Sequence, residues 1–410
     1  MRPSQIQRRT LAVLAAAQVF GGVGFFLGVT VAALLARDVS GRESLGGVPL
    51  AFAVLSGALA AGPIGAWMGR AGRRAGLVAG HLVAAGGAAL VVLAAGIDSF
   101  ALLCLGMAGF GLGNTSNLLA RYAATDLAPA QQRARAISIV LLATAAGAIA
   151  GPNLAALTEP LAAALTVVAS AGPFALAVGA YLIAATILLV LLRPDPLLAS
   201  RADGRQPTAP ASGWTSALRD LPAWPRLALI GVGVMAGSNV AMVAVMTMTP
   251  IHMEAAGQSL SSVGLVISLH VAGMYLPSPV SGSLADRYGR RPVVAGGGLA
   301  LAVAGALAAL APRESAPLMA VSLALLGVGW NLGLVGGSAL LTDAIAPDRR
   351  APIQGAADLI MGVAAMSGNL IAGPLFHAGA FGVLGAGAAA IGAVVVLLAS
   401  RARAPVAASS

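Results

Sequence analysis

Twelve nearly unbroken apolar stretches, separated by polar turns, make up most of this chain: 11–35, 46–68, 75–97, 100–122, 136–158, 172–192, 227–250, 261–283, 292–311, 316–340, 354–376 and 381–399. Each approaches the roughly 20 residues that a helix needs to cross the hydrocarbon core of a bilayer. Strands of a membrane barrel would alternate apolar and polar positions instead, so the pattern predicts an all-α membrane protein with twelve transmembrane helices. One long polar interval, Arg193 to Arg226, rich in Pro, Ala, Arg and Asp, interrupts the series. It has the composition of a flexible linker. The helices therefore divide six and six: an N-terminal half at 1–192, a linker at 193–226 and a C-terminal half at 227–410.

Composition agrees with that reading, because 58% of the 410 residues are apolar and only 9% charged, against about 25% charged in a soluble domain. The formal charge of +10 is carried by arginine alone, and its placement decides what it means. With the N-terminus in the cytoplasm, Arg2, Arg8, Arg9, Arg70, Arg73, Arg74, Arg133, Arg135, the linker arginines, Arg287, Arg290, Arg291, Arg349, Arg350, Arg401 and Arg403 all fall inside, whereas Arg37, Arg42 and Arg313 fall outside. That asymmetry is the positive-inside rule. It predicts both termini in the cytoplasm of a bacterial inner membrane and contact with anionic membrane lipid, with no nucleic-acid groove. The run from Leu11 to Leu35 is longer than a signal-peptide core and reads as the first span. Cys104, the single cysteine, excludes an intramolecular disulfide.

An internal repeat links the halves at an offset of 217 residues: Gly65, Arg70, Gly72, Arg73 and Arg74 align with Gly282, Arg287, Gly289, Arg290 and Arg291, while Asn114, Thr125, Asp126 and Arg133 align with Asn331, Thr342, Asp343 and Arg350. Paired six-helix halves are a known transporter plan. The second-half loop, Gly282-Ser-Leu-Ala-Asp286-Arg287-Tyr-Gly289-Arg290-Arg291, resembles the loop signature of the major facilitator superfamily with every key position filled. The resemblance implies the major facilitator fold, two pseudo-symmetric six-helix halves, with Arg290 paired to Asp343 and, by the repeat, Arg73 to Asp126. The first-half copy departs from the signature at Gly69, where an aspartate is expected. Asp358, in the first turns of the eleventh helix, is the acid placed to supply the missing latch charge. Gly147, Gly151 and Pro152 resemble the antiporter motif of drug exporters, although close helix packing with a kink explains the same residues and is favoured.

The candidate chemistry lies on helices seven and eight. Met242 and Met246 are spaced i, i+4, as are His270 and Met274, so each pair shares one face of its helix. Thioether and imidazole donors suit copper, above all Cu(I), over hard ions. In an antiparallel hairpin turning near residue 256, Met242 and His270 fall at one depth, and Met246 and Met274 about 6 Å to either side. This arrangement resembles the CcoA-type copper importers of the superfamily. That implies copper as the transported substrate, delivery toward assembly of a haem-copper (cbb3-type) oxidase and an intracellular copper chaperone as recipient. Gln18, Asn114, Asn117, Asn239, Trp330 and Asn331 are candidate cavity residues, while His81 and His377 have no companions in the sequence. No nucleotide-binding loop or catalytic triad is present in a fitting context, so neither an enzyme nor a bound cofactor is expected. The expected function is alternating-access copper import. Its rivals are a drug or metabolite exporter or an organic-solute, flavin-like importer of the same fold, with the methionines as apolar lining, and a transport-dead receptor or assembly scaffold.

Overall fold

A computed structural model describes residues 3–128, 133–202, 218–312, 314–345 and 350–402. Among the described residues all regular structure is helical. Twelve spans are long and apolar enough to cross a membrane: Gln5–Ser40, Glu43–Ala71, Arg73–Gly96, Phe100–Thr125, Ile139–Ala164, Ala169–Ala202, Arg226–Ala255, Leu260–Ala285, Arg290–Leu310, Ala316–Asp343, Ala356–Ala378 and Phe381–Arg401. The number and order follow the apolar pattern, and the protein is a twelve-span, all-α membrane protein. Residues 203–217 of the linker lie outside the described residues, as does Arg313.

The eighth and fifth spans are each built from more than one helical piece within the apolar run. The eighth is two helices, Leu260–Tyr275 and Ser278–Tyr288, because Pro277 has no amide hydrogen to donate to the preceding turn and so interrupts the ladder. The fifth continues past its α-helical part, Arg133–Leu154, through a 3₁₀ turn at Ala155–Thr158 and a short helix at Glu159–Ala164.

The chain forms two compact units. Unit 1 is Met1–Pro210 with Met253–Ser268, and unit 2 is Ala211–His252 with Leu269–Ser410. In a bilayer the apolar face of a helix gains nothing by leaving lipid, so span packing depends on close fit, which small residues provide. In unit 1 the backbone of Val19 and Val23 on the first span lies where a side chain at Gly147 or Gly151 would have to go. The Gly147, Gly151 and Pro152 run is thus a packing seam, the reading the sequence favoured. Spans three and four meet in the same way at Gly87 and Gly106. In unit 2 the ninth and twelfth spans run antiparallel, with Gly298 against Gly392 and Gly305 against Gly385.

The 217-residue repeat recurs as contacts inside each unit. A Cβ at Gly151 would stand 3.0 Å from the carbonyl oxygen of Val23, and one at Gly368 would stand 3.2 Å from that of Val240, the same pair shifted by the offset. Gly72 and Gly289 open the third and ninth spans with φ of 93° and 89°, a left-handed conformation that side-chain-bearing residues rarely adopt. This is why the loop signature demands glycine at both positions.

Candidate functional site

Each Gly72-type turn delivers an arginine to the first position of the next helix, and each of these arginines meets an acid from the span beyond. Arg73 Nε and Nη2 donate to Asp126 Oδ2 and Oδ1 at 2.9 and 3.2 Å, a two-point pair that fixes the planar guanidinium. Arg290 Nε donates to Asp343 Oδ2 at 3.0 Å. The two pairs differ in setting. Side-chain exposure is 16% and 6% for Arg73 and Asp126, but 27% and 50% for Arg290 and Asp343. Burial pushes the Asp126 carboxyl above its ordinary range, against the pull of Arg73. Asp286 occupies the last helical turn before Gly289, with its side chain outside what the structure describes. Asp358 is exposed at the start of the eleventh span, and Gly69 is followed by open space where a side chain would project.

The first loop is secured by an acid that the sequence analysis did not single out. Asp195 Oδ2 accepts from the Arg74 backbone amide at 2.8 Å, and its Oδ1 accepts from the amides of Leu197 and Leu198 at 3.0 and 3.2 Å. One carboxylate thus caps two helix N-termini, where orphan amides and the helix dipole both favour an anion. In unit 2 the corresponding tie is reversed in sign: Arg291 donates from Nε and Nη2 to the carbonyl oxygens of Ala399 and Ser400 at the end of the last span. The tie of Asp195 to Arg74 was hidden because the two lie 121 positions apart.

The soft-ligand residues are buried, except for the half-buried Met246. His270 is fully buried and its Nδ1 donates to the Leu323 carbonyl oxygen of the tenth span at 2.7 Å. That bond leaves a lone pair on Nε2, which has no hydrogen-bond partner. His270 is thus tied to the tenth span through Nδ1, which leaves Nε2 as the atom that could meet Met242. The cause is packing: Gly327 lets the tenth span approach the backbone of His270 and Met274. Among the described residues, no group of three His, Cys, Asp or Glu side chains is placed to hold a metal.

The cavity candidates separate into two sets. Asn331 is committed to structure. Its Nδ2 donates to the Met274 carbonyl oxygen and to Ser278 Oγ, both at 2.8 Å, and its Oδ1 accepts from Ser281 Oγ, so it bridges the break in the eighth span. Gln18 is likewise bonded into the core of unit 1, while Asn114 is half-buried. Trp330 and Asn239 form the second set. Trp330 Nε1 donates to Asn239 Oδ1 at 2.9 Å, Asn239 Nδ2 donates to the Met361 carbonyl oxygen at 2.9 Å, and the half-buried Tyr275 ring meets Trp330 edge-on with centroids 6.4 Å apart. Four spans of unit 2 thereby bring together two aromatic rings and a buried amide.

Comparison with known proteins places these features in a family context. The family description Major Facilitator Superfamily matches residues 12–262 and 232–409. Among curated proteins, the chain is 41% identical over 396 residues to the MFS-type transporter YddS of Bacillus subtilis (strain 168), covering 96% of this chain and 91% of the relative. It is 41% identical to YdeG of the same organism over 372 residues, covering 91% and 86%. It is also 32% identical over 380 residues to the riboflavin transporter RfnT of Brucella anthropi, covering 92% and 91%. Among solved structures it resembles a bacterial homologue of the human lysosomal transporter Spinster, determined inward-facing and unoccupied, with a TM-score of 0.69, 17% identity and coverage of 97% and 95%. At that identity the likeness concerns the fold.

Proposed function

Because the chain belongs to the Major Facilitator Superfamily, we propose that it is a secondary carrier of the bacterial inner membrane that imports an organic solute of the flavin class. The observation that carries this reading is the end-to-end similarity to a riboflavin transporter. The Trp330 and Tyr275 pair, held by Asn239, supports it, since aromatic faces and edges pack on a planar heterocycle. Both termini are assigned to the cytoplasm on the arginine distribution. The test is uptake of radiolabelled riboflavin by cells with and without the gene at matched membrane abundance. Uptake that depends on the gene and is competed by unlabelled riboflavin is expected. Equal uptake in the two strains removes the flavin reading.

Copper import is the second reading, and the observation that favours it is His270: a buried imidazole whose Nδ1 is fixed by a carbonyl, leaving Nε2 free, has the arrangement of a metal ligand. No relative reported above is named for copper. The same strains assayed for copper accumulation separate the readings.

The latch is a further proposal. With open space at Gly69, Gly69→Asp is expected to leave membrane abundance within about 20% of the parent, since exposed substitutions away from packed features cost little, about 0.5 kcal/mol or less. If Asp358 supplies the charge that position 69 lacks, Asp358→Asn slows transport and Gly69→Asp restores it. No restoration in the double variant shows that the two positions are independent.

A further inference from the structure

Three positions of unit 2 break the 217-residue repeat in the same direction. Asn239, Tyr275 and Trp330 correspond to Gly22, Ala58 and Gly113 of unit 1. The offset is secure at these points, because the neighbouring pairs Val23 with Gly151 and Val240 with Gly368 obey it in space. In unit 1 the first and fifth spans touch backbone to backbone: a Cβ at Gly22 would stand 2.6 Å from the Thr144 carbonyl oxygen. Met361 corresponds to Thr144. In unit 2 the same junction is bridged instead by the Asn239 amide, whose Nδ2 donates to the Met361 carbonyl oxygen at 2.9 Å. Gly113 is closed in a similar way, since a Cβ there would stand 2.5 Å from the Tyr181 hydroxyl. Unit 1 thus builds this junction from glycine. The fold itself does not call for the three larger side chains of unit 2.

A buried amide is costly unless its donor and acceptor are both used. Asn239 is 7% exposed and uses both, because Oδ1 accepts from Trp330 Nε1 at 2.9 Å. The bond to Met361 decides which way round the amide lies, since a carbonyl oxygen accepts only from a donor. Its Oδ1 is thereby aimed at the indole, and Trp330 keeps its single N–H satisfied only in the orientation that meets it. That N–H is spent inside the protein. What the half-buried indole retains for a ligand is its π face and its apolar edge, beside a half-buried Tyr275 ring whose centroid lies 6.4 Å away.

An indole that withholds its donor favours a ligand held by stacking over one that needs a hydrogen bond at this point. We infer that Asn239 is the positioning residue that sets this preference: it orients Trp330 and occupies the indole N–H, so that the carrier recognises its ligand here by the face of a planar ring. The inference rests on the flavin-class reading and deepens it, assigning the tricyclic ring as the part of the solute that Trp330 meets.

The test begins with Asn239→Leu, which is close to asparagine in volume and removes both bonds. At matched membrane abundance the KM for riboflavin uptake is expected to rise about tenfold, the scale of one misplaced aromatic contact. The maximal rate is expected to stay within about twofold of the parent, as when binding alone is lost. An unchanged KM overturns the inference, as does a fall in maximal rate without a change in KM, which is the mark of a purely structural role. If Asn239→Leu does not reach the membrane, Asn239→Gly, the residue that unit 1 carries at Gly22, is assayed in its place. The second arm is ¹⁵N-tryptophan NMR of the full chain in nanodiscs, with the Trp330 indole signal assigned by Trp330→Phe. Saturating riboflavin is expected to shift that signal while the indole N–H keeps its protection from hydrogen exchange, and the Asn239 variant is expected to lose that protection. Protection that is lost when riboflavin binds the parent, or kept in the variant, overturns the inference. A parent that neither takes up riboflavin nor responds to it at Trp330 rejects the flavin reading and the inference with it. A parent that does both, with KM unchanged in the variant, overturns the role of Asn239 alone.

Discussion

Asp126→Ala should sharply lower the thermal stability of the detergent-solubilised protein, while Asp343→Ala should barely change it. The two acids occupy equivalent positions in the repeat and meet equivalent arginines. Only the first pair is buried. Removing Asp126 leaves the Arg73 guanidinium, 16% exposed, without the carboxylate that neutralises it, a loss of about 3–5 kcal/mol for a broken buried pair. Asp343 is half exposed, and exposed pairs contribute about 0–1 kcal/mol. The upward push that burial exerts on the Asp126 carboxyl adds a second expectation. Desolvation consumes much of what the pair gains, so replacing both partners by apolar residues, Arg73→Met with Asp126→Leu, should recover most of the stability lost in Asp126→Ala. Cys104 is buried and is the only cysteine, so its exposure to a thiol-reactive fluorophore on heating reports unfolding. Equal shifts for Asp126→Ala and Asp343→Ala contradict the burial argument.

Trp330→Ala should reduce riboflavin uptake by about 10- to 100-fold at equal membrane abundance. The loss of an aromatic contact, about 0.5–1.5 kcal/mol, and about 1–3 kcal/mol for a buried amide oxygen left without its donor together reach about 1.5–4.5 kcal/mol, and the lower half of that span gives this reduction. Asn239 Oδ1 is that oxygen, since Trp330 Nε1 is its bonded donor. Met242→Leu keeps volume and apolarity, so under the flavin reading it changes uptake by less than about twofold. Copper import predicts the reverse pattern. Met242→Leu and His270→Ala would then be the variants that lose copper accumulation, because each removes a soft donor, and Trp330→Ala would matter little. Riboflavin uptake that survives Trp330→Ala unchanged removes the aromatic group from the substrate path.

Much of the membrane architecture was legible from side-chain chemistry along the chain, because a bilayer makes every spanning segment declare itself by length and apolarity. The loop turns were legible for a similar reason: Gly72 and Gly289 stand at positive φ, a local demand that glycine meets at no steric cost. The pairs Arg73 with Asp126 and Arg290 with Asp343 came from the family resemblance and the repeat, and the same pairs stand in the structure. The break at Pro277 was equally local in cause but escaped notice inside an otherwise apolar run.

The methionine and histidine ladder shows where such reading stops. Spacing of i, i+4 states that His270 and Met274 share a face of their own helix; it does not state which neighbour that face meets. Gly327 on the tenth span admits the backbone of the eighth, and His270 Nδ1 bonds to Leu323, a tie that spacing alone does not announce. His81 was passed over for the converse reason, since its companion Asn117 sits on another span and the pair carries no motif. By itself the sequence determined the number of spans, the two-half repeat, the glycine turns and the family, all consequences of hydrophobicity and backbone sterics that act over a few residues. Only the tertiary structure decided which polar side chains face one another, which ion pair is buried and which asparagine is consumed by structure, because those outcomes depend on how closely neighbouring helices approach, and that distance is set by small residues far apart in the chain.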